Sequence, residues 1–279
     1  MTLLTEYKSL KITKNGAVAN LHFAQPEKAN AMTRDFWREF PLALDEIKND
    51  LSLRVLVISG EGKHFSSGMD LSLFANNQSL DNSNPRQRDR LRLLVLQLQD
   101  VFSALSALRI PVIAAVHGAC IGGALDLISA CDMRYASKSA YFCLQEINLA
   151  MMADLGVLQR LPHLIPDGIV RELAFTGDKL SAERAQEIGL LNALFDDEET
   201  LQKEVASIAA KIAAKSPLAI AASKEALNYV KDHNTADSLA HAAVLQSSLF
   251  DLSDIAAAAA AAAKKSEADY SSLLKLDEI

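Results

Sequence analysis

The sequence is poor in the residues that build metal centres and disulfide frameworks. Only three of its 279 residues are cysteines, and neither they nor the six histidines stand at the spacing of a metal-binding motif. Cys120, Cys131 and Cys143 each lie among apolar residues, so we expect reduced, buried thiols without a catalytic role, in a reducing compartment. We therefore predict a protein that needs no metal and no redox cofactor.

A segment that would carry the chain into or across a membrane is also lacking. The alanine run at residues 256–263 is much shorter than the roughly 18 apolar residues of a membrane span. The N-terminal residues MTLLTEYKSLKI resemble neither a secretory signal nor a transit peptide, and the C-terminus is not the peroxisomal SKL. We predict a cytoplasmic protein that does not bind membranes.

Basic residues are in the minority, which argues against a nucleic-acid-binding surface. The 28 lysines and arginines stand against 35 aspartates and glutamates, for a formal net charge of −7. A phosphate-binding loop of the form GxxxxGK[ST] is absent, and the lone GEGK at residues 60–63 is more typical of a turn. With half of its residues hydrophobic, the chain is long enough to bury a large core.

Strand-like and helix-like patterns alternate over the first 197 residues. Asn15 and Gly16 join two alternating apolar runs, which predicts a hairpin. The apolar runs at residues 54–59 and 110–116 predict buried strands, and residues 88–108 repeat apolar side chains at helical spacing. Together these patterns predict an α/β fold.

The composition changes near residue 197, which suggests two regions. Helix-forming residues dominate residues 198–279, with a break at Ser216 and Pro217. We therefore divide the chain into an α/β core with the active site, residues 1–197, and a C-terminal helical region. Within the core, the polar residues 73–90 predict a long loop that could act as a lid.

The candidate chemistry lies between residues 111 and 162. Gly122 and Gly123 follow a predicted strand and form a tight turn into a helix, whose free N–H groups then lie near the glycines. Asp126 stands in the first turn of that helix, Glu146 follows 20 residues later, and Asp154 another 8 residues on. Apolar residues surround all three carboxylates.

An apolar setting leaves two interpretations for each carboxylate. It is either a paired structural charge or an acid or base whose pKa burial has raised. A single carboxylate favours the structural interpretation. Three of them downstream of a glycine turn favour general acid–base chemistry, which takes a proton from one atom and returns it to another. This chemistry requires that the three groups converge in space.

The same residues resemble a known family. Residues 120–135, CIGGALDLISACDMRY, are similar to the central motif of the crotonase superfamily, the enoyl-CoA hydratase/isomerase family. Further similar segments are PEKANAM at residues 26–32, SGEGKHFSSGMDL at 59–71, QRLP at 159–162 and SAERAQEIGL at 181–190. The resemblance implies a spiral of repeated ββα units, followed by a C-terminal helical region that builds homotrimers, often paired into homohexamers.

The three carboxylates narrow the resemblance. Hydratases of the family carry glutamate at the positions of Asp126 and Glu146, and glycine at the position of Asp154. The combination Asp, Glu and Asp at this spacing, together with DFWRE at residues 35–39, resembles the delta(3,5)-delta(2,4)-dienoyl-CoA isomerases. It implies isomerisation of 3,5-dienoyl-CoA to 2,4-dienoyl-CoA in the oxidation of unsaturated fatty acids, with CoA as part of the substrate.

Two alternatives stay open. An enoyl-CoA hydratase would use Asp126 and Glu146 to hold one water molecule, but Asp154 would then have no evident purpose. A non-catalytic acyl-CoA-binding protein would keep the fold without the chemistry. The retention of all three acids argues against that alternative.

The resemblance assigns roles to individual groups of the candidate site. The backbone N–H groups of Met69 and Gly123 would form an oxyanion hole that grips the thioester oxygen. Glu146 would handle the proton at C2 and Asp154 the proton at C6, and the reverse assignment stays open. Asp126 would be a third carboxylate that tunes this pair or holds its hydrogen bonds.

The resemblance also implies a CoA-binding groove. Its candidate residues are Ala29, Ser66, Ser67 and Gly68. On spacing alone, the loop that contains Ala29 is equally well explained as a simple helix entry. Lys224 is a candidate partner for a CoA phosphate, and a solvated lysine is the more common alternative. Asp132 and Arg134 are most simply a structural ion pair.

Overall fold

Two β-sheets organise the fold of the computed structural model, which describes residues 2–75 and 80–274. The strands are β1 (Thr2–Glu6), β2 (Leu10–Asn15), β3 (Val18–Phe23), β4 (Val55–Gly60), β5 (Val112–Val116), β6 (Ala119–Ile121), β7 (Met133–Ser137), β8 (Tyr141–Cys143), β9 (Lys179–Ser181) and β10 (Ala193–Phe195). The larger sheet has the order β1-β2-β3-β4-β5-β7-β10, and the smaller sheet has the order β6-β8-β9.

Helices alternate with the strands and then follow them to the C-terminus. The helices that the structure describes are α1 (Arg34–Asn49), α2 (Pro85–Ala107), α3 (Gly123–Ser129), α4 (Val157–Arg160), α5 (Asp167–Thr176), α6 (Ala182–Glu187), α7 (Glu198–Ala213), α8 (Pro217–Tyr229), α9 (Thr235–Leu249) and α10 (Leu252–Lys264). This alternation confirms the predicted α/β class.

The larger sheet changes from antiparallel to parallel along its length. Strands β2 and β3 form the predicted hairpin, in which Asn15 pairs with Val18. From β3 onwards the neighbouring strands β4, β5, β7 and β10 run parallel. Because the carboxyl ends of parallel strands meet at one edge, the segments after β4 and β5 lie together, and Ser66 there forms a bridge with Cys120.

Repeated ββα units build the part of the chain that contains the glycine turn. Strands β5 and β6 with helix α3 form one unit, and β7 and β8 with α4 form the next. In each unit the first strand joins the larger sheet and the second joins the smaller one. The spiral of ββα units that the resemblance implied is therefore present.

An aromatic cluster fills the space between the larger sheet and helices α1 and α2. Phe36 and Phe40 of α1 stack at 5.0 Å between ring centroids, and Phe40 meets Phe102 of α2 edge-on at 6.5 Å. Thr33 accepts a hydrogen bond from the N–H of Phe36 and so caps α1. This cluster holds the C-terminal end of α2 against the sheet.

Helix α7 covers the opposite face of the larger sheet. Leu201 and Val205 of α7 pack against Val57 and Ile113 of the sheet, and all four side chains are buried. The sequence-based division placed this helix in the C-terminal region. In the structure α7 is part of the core.

The last three helices begin at the predicted break. Ser216 accepts a hydrogen bond from the N–H of Ala219 and so caps α8. The alanine run at residues 256–263 lies within α10. Over the described part of the chain, no single helix is long and apolar enough to cross a membrane. Helices α7 and α8 meet that test only together, across a bend of 105°.

The segment predicted as a lid is described in part. A 3₁₀ helix spans Leu71–Phe74, and residues 76–79 lie outside the described residues. Helix α2 begins at Pro85, because the side chain of Asn84 accepts hydrogen bonds from the next turn. The long helix therefore starts three residues before the predicted position, at residue 85 rather than 88.

Candidate active site

A cavity of about 740 Å³ opens where the loops after β4 and β6 meet helix α2. One wall is polar and contains Ser67, Met69, Gly123, Glu146 and Asp154. The lining contributed by α2 is apolar and includes Leu91, Leu94, Val95 and Leu98. A cavity lined by a few polar groups and many apolar side chains suits a ligand with a reactive head and an acyl chain.

Two backbone amides lie side by side on the polar wall. Gly68 has φ of +82°, and a Cβ there would lie 2.3 Å from the carbonyl oxygen of Ile121 and 3.3 Å from the nitrogen of Gly123. Only glycine permits this approach. A Cβ on Gly123 would in turn lie 3.9 Å from the nitrogen of Met69. The fold thus places the amides of Met69 and Gly123 next to each other.

Neither amide is occupied by another group. Among residues 2–75 and 80–274, no backbone or side-chain acceptor receives a hydrogen bond from the N–H of Met69 or Gly123. Gly123 is the first residue of α3, where helix N–H groups have no intrahelical partner. Two free, adjacent N–H groups can stabilise negative charge on a ligand oxygen.

Buried hydrogen bonds hold the loop that carries Met69. The Oγ of Ser66 donates to the carbonyl oxygen of Asn30 at 2.7 Å and accepts from the N–H of Gly68 at 3.1 Å. The N–H of Met32 donates to the carbonyl oxygen of Gly68 at 2.7 Å. These contacts join the loop to the segment before α1, so the amide of Met69 is rigidly placed.

Glu146 lies beside the glycine turn. It belongs to a 3₁₀ helix, Gln145–Leu149, and its Oε1 would lie 3.1 Å from a Cβ on Gly122. Its Oε2 is buried and has no hydrogen-bond partner among the described residues. Burial raises the pKa of Glu146, and the charge of Asp154 raises it further, against a lowering by its own backbone N–H.

Asp154 lies on the same wall, in a segment without regular secondary structure. Burial raises the pKa of Asp154 above its ordinary value, and a hydrogen bond from its own backbone opposes the change. For both carboxyl groups the raised pKa favours the protonated form more than in a free side chain. Two such groups on one wall are the residue types that general acid–base chemistry uses.

Asp126 lies behind this wall rather than on it. Its side chain is fully buried in α3, and Oδ1 accepts a hydrogen bond from the N–H of Val157 at 2.7 Å. Its Oδ2 has no partner within the described part of the chain. Burial, followed by the charge of Glu146, raises the pKa of Asp126 to about 8. The side chain supports the start of α4, one turn away from the cavity.

Known proteins share the sequence family and the fold of this chain. The sequence profile of the family described as enoyl-CoA hydratase/isomerase matches residues 13–272. The chain belongs to this family. The peroxisomal Delta(3,5)-Delta(2,4)-dienoyl-CoA isomerase of Arabidopsis thaliana is 36% identical over 276 residues, which cover 97% of this chain and 99% of the relative. The mitochondrial Delta(3,5)-Delta(2,4)-dienoyl-CoA isomerase of Rattus norvegicus is 38% identical over 97% of this chain and 84% of the relative.

A solved structure shows the same architecture. The crystal structure of an enoyl-CoA hydratase from Bacillus anthracis superposes with a TM-score of 0.84 at 28% sequence identity, over 94% of this chain and 99% of that one. The family and the fold that the motifs resembled are thereby confirmed. The fold of this enoyl-CoA hydratase/isomerase family member brings together Met69, Gly123, Glu146 and Asp154, which are up to 85 residues apart in the sequence.

The candidate CoA-binding residues fall into two groups. Ser67 lines the cavity beside Met69. Ser66, Gly68 and Ala29 are parts of the supporting loops, where the carbonyl oxygen of Ala29 accepts a hydrogen bond from the N–H of Ser67 at 2.9 Å. Of the four, Ser67 alone is a wall residue of this cavity as the structure describes it.

Lys224 corresponds to neither of its two sequence-based interpretations. Its side chain is 7% exposed, so it is not a solvated lysine. Its Nζ donates to the carbonyl oxygens of Leu105 and Ile110 at 3.1 and 3.0 Å, and to Asp132 Oδ2 at 2.7 Å. An ammonium group has three protons, and all three are used here. Lys224 therefore has no donor left for a CoA phosphate and instead ties α8 to the core.

The predicted ion pair between Asp132 and Arg134 is wrong. Asp132 is paired with Lys224, whereas the guanidinium of Arg134 donates to the carbonyl oxygens of Leu190, Ile128 and Cys131. Arg134 is buried and Asp132 is partly buried, so both charges need partners. Lys224 and Leu190 come from distant parts of the chain, whereas Ile128 and Cys131 are local.

Sequence reasoning missed Trp37 as a site residue. Its Nε1 lies 3.2 Å from the sulfur of Met69 and donates to it, while its ring packs on Phe36 and Phe102. Trp37 thus connects α1 to the residue that supplies one free amide. Its only signals were that it is the one tryptophan of the chain and lies within the DFWRE segment.

Proposed function

We propose that this chain is an isomerase that converts 3,5-dienoyl-CoA to 2,4-dienoyl-CoA. The observation that carries the proposal is the polar wall of the cavity, where two carboxylates of raised pKa lie beside two free backbone amides. The names of the Arabidopsis and rat relatives support the same reaction. An acyl-CoA is the substrate, and CoA enters as part of it.

The reaction needs a charge-stabilising site and two proton positions. The backbone N–H groups of Met69 and Gly123 donate hydrogen bonds to the thioester oxygen and stabilise the negative charge that forms when the C2–H bond breaks. The electron pair delocalises through the diene, and a new C6–H bond forms with a proton from the second carboxyl group. The substrate gains and loses one proton, so no electrons are exchanged with a cofactor.

The position of each carboxylate supports one assignment of the two protons. Glu146 contacts the glycine turn directly before Gly123, and C2 is bonded to the thioester carbon that the Gly123 amide serves. Glu146 therefore takes the C2 proton in this proposal. Asp154 adjoins Leu155 and the apolar wall of α2, where the acyl chain runs, and delivers the C6 proton.

The buried position of Asp126 argues against the hydratase alternative. Hydration needs two carboxylates that hold one water against the substrate. Asp126 Oδ1 accepts a hydrogen bond from the N–H of Val157, and the side chain lies behind the cavity wall. Asp154, which lines the cavity, has a purpose in isomerisation and none in hydration. A binding protein without chemistry would not require two carboxyl groups of raised pKa in an apolar cavity.

An ultraviolet assay tests the proposal. Moving the diene into conjugation with the thioester shifts its absorption to longer wavelength, whereas hydration of a 2-enoyl-CoA bleaches the enoyl band. We expect rapid growth of the conjugated band with a 3,5-dienoyl-CoA, and loss of that growth in Asp154→Asn. Asp100→Asn, the same change at an exposed position of α2, is the matched control. Fast bleaching of the enoyl-CoA without a diene shift would identify a hydratase instead.

We further propose that the C-terminal helices assemble the chain into a homotrimer or a homohexamer. Apolar side chains are exposed on these helices, among them Leu239 and Val244 of α9 and Leu252 of α10. Exposed apolar surface of this kind is typical of an interface. Native mass spectrometry measures the mass directly, and a monomer at micromolar concentration would contradict the proposal.

A cytoplasmic location remains part of the proposal. The Arabidopsis and rat relatives are named as peroxisomal and mitochondrial, and those names apply to them. Fractionation of cells that express the full chain, with detection by antibody, tests the location. Recovery in an organelle fraction would overturn it.

A further inference from the structure

The placement of Asp154 depends on a segment that has no regular secondary structure. Residues 151–156 connect the 3₁₀ helix of Glu146 to helix α4. A group that transfers a proton has to be held within about 0.5 Å of its productive position. A loop has no backbone hydrogen-bond ladder of its own that could hold a side chain so closely in position. The contacts around the backbone of Asp154 therefore decide its geometry.

Two side chains hold the carbonyl groups of consecutive residues in this segment. Gln99 Nε2 donates to the backbone carbonyl oxygen of Asp154 at 2.6 Å. Arg160 Nη1 donates to the backbone carbonyl oxygen of Leu155 at 3.1 Å, and its Nη2 donates to Ser103 Oγ at 2.9 Å. Gln99 and Ser103 are one turn apart on α2. The segment is thus tied to one face of that helix.

The next two residues continue the same arrangement. Gly156 has φ of +116°, and a Cβ there would lie 2.0 Å from Arg160 Nη1, so the guanidinium lies directly against the backbone. The N–H of Val157 donates to Asp126 Oδ1. Side chains from α2, α3 and α4 therefore fix the backbone from residue 154 to residue 157.

We propose that Gln99 and Arg160 are positioning residues for Asp154 in the isomerase reaction. They act through the backbone, since neither belongs to the cavity wall that the structure describes. Leu98, the neighbour of Gln99, does line the cavity. Helix α2 therefore supplies both the wall for the acyl chain and the support for Asp154. This inference rests on the proposed function.

Gln99→Met tests the inference, because methionine keeps the length of the side chain and removes the donor. We expect kcat to fall about 10- to 100-fold, since a displacement of about 1 Å costs up to that much, while KM stays near the wild-type value. Gln97→Met is the matched control, at an exposed position of the same helix, and should leave kcat unchanged.

Deuterium labelling in D₂O separates a positioning effect from general loosening. Exchange at C2 reports the proton transfer assigned to Glu146, and deuterium entry at C6 reports the one assigned to Asp154. Gln99→Met should slow entry at C6 and leave exchange at C2 at the wild-type rate. A variant that had only lost structural stability would slow both.

Arg160→Lys provides a second variant. Lysine keeps the positive charge near Asp126, but one ammonium group cannot replace the two arms that join Leu155 to Ser103. We expect the same labelling pattern with a smaller loss of kcat. The exposed Arg171→Lys is its control.

The outcomes separate this inference from the proposed function. A wild-type rate in Gln99→Met, or equal slowing of both labelling steps, would overturn the positioning role while the isomerase activity stands. A wild-type protein that does not isomerise dienoyl-CoA would overturn the proposed function, and that result appears before any variant is made.

Discussion

Two groups of buried and partly buried charged residues adjoin helix α3, and they are built in opposite ways. The acid cluster consists of Asp126, Glu146 and Asp154, and two of its oxygens, Asp126 Oδ2 and Glu146 Oε2, are buried without a partner among the described residues. The paired cluster consists of Asp132, Arg134 and Lys224. In that cluster Asp132 Oδ2 accepts from the N–H of Val112 and from Lys224 at 2.7 Å each.

The difference shows how one chain separates stability from chemistry. Removing one member of a buried charge pair destabilises the fold, because it leaves the other charge uncompensated. A buried carboxylate without partners has a raised pKa and destabilises the charged form of the protein. A raised pKa is also a common property of carboxyl groups that act as general acids or bases. Substitutions in the two clusters should therefore have opposite consequences.

The largest expected effect comes from Glu146→Gln in the acid cluster. We expect kcat to fall by about 10² to 10⁴, the usual contribution of a general acid or base. The folded pKa of Glu146 is raised, so the wild-type protein loses stability as pH rises through it, and glutamine removes that loss. The melting temperature at pH 8 should therefore equal or exceed that of the wild type. Exposed Glu172→Gln is the control. Full activity in Glu146→Gln would contradict the assignment of chemistry to the acid cluster.

The paired cluster should respond in the opposite way to Lys224→Met. The substitution removes the cation that pairs with Asp132, which keeps only the N–H of Val112, and it removes the donor to two carbonyl groups. We therefore expect the free energy of unfolding to fall by about 3 kcal/mol. The kcat of the remaining folded protein should not change. Denaturant unfolding measures the free energy of unfolding, and the maximal rate divided by the titrated active-site concentration gives kcat. Exposed Lys211→Met is the control.

A double variant sharpens this second prediction. Asp132→Asn combined with Lys224→Met removes both charges and should recover part of the lost stability, since no isolated charge then remains. Additive losses in the double variant would show that the ion pair is not the source of the effect.

The pH dependence of stability distinguishes Asp126 from the paired cluster. Its pKa of about 8 lies above the ordinary value of 3.8, so between these limits the folded state holds a proton that the unfolded state releases. Stability is therefore lost as pH rises, by about 2 kcal/mol between pH 6 and pH 8. Asp126→Asn should remove this slope. Parallel pH profiles for variant and wild type, measured by urea unfolding, would contradict the assignment.

The smallest effect is expected at Ser66, a fully paired polar group inside the site. Ser66→Ala removes one donated and one accepted hydrogen bond from the loop of Met69, so we expect a loss of about 1–2 kcal/mol in stability. Activity should fall less than in Glu146→Gln, because the amide of Met69 remains present. A loss of kcat as large as that of Glu146→Gln would place Ser66 in the chemistry itself.

Local patterns predicted much of the fold. The Asn15–Gly16 turn and the break at Ser216 each depend on a few adjacent residues, and each is present in the structure. The family, its fold and the interpretation as an isomerase follow from motifs that are each contiguous in the sequence. The assignment of catalytic roles to Glu146 and Asp154 stays a prediction, which their shared cavity supports.

Pairing between distant residues was not predictable in the same way. Lys224 was considered for a CoA phosphate and Asp132 for a pair with Arg134, yet these charges are satisfied across 92 residues of chain. No sequence pattern pointed to Gln99, and its contact with Asp154 spans 55 residues. Exposure and partner choice depend on distances in space, which periodicity and propensity do not describe.

The sequence by itself determined the class of fold, the glycine turn, the family and the three candidate acids, because these are properties of short segments. Only the tertiary structure decided that Glu146 and Asp154 face the cavity while Asp126 lies behind its wall. It also decided which buried charges have partners and which do not. The physical reason is that a carboxylate becomes structural or reactive according to its burial and its neighbours, and both are set by how distant segments pack.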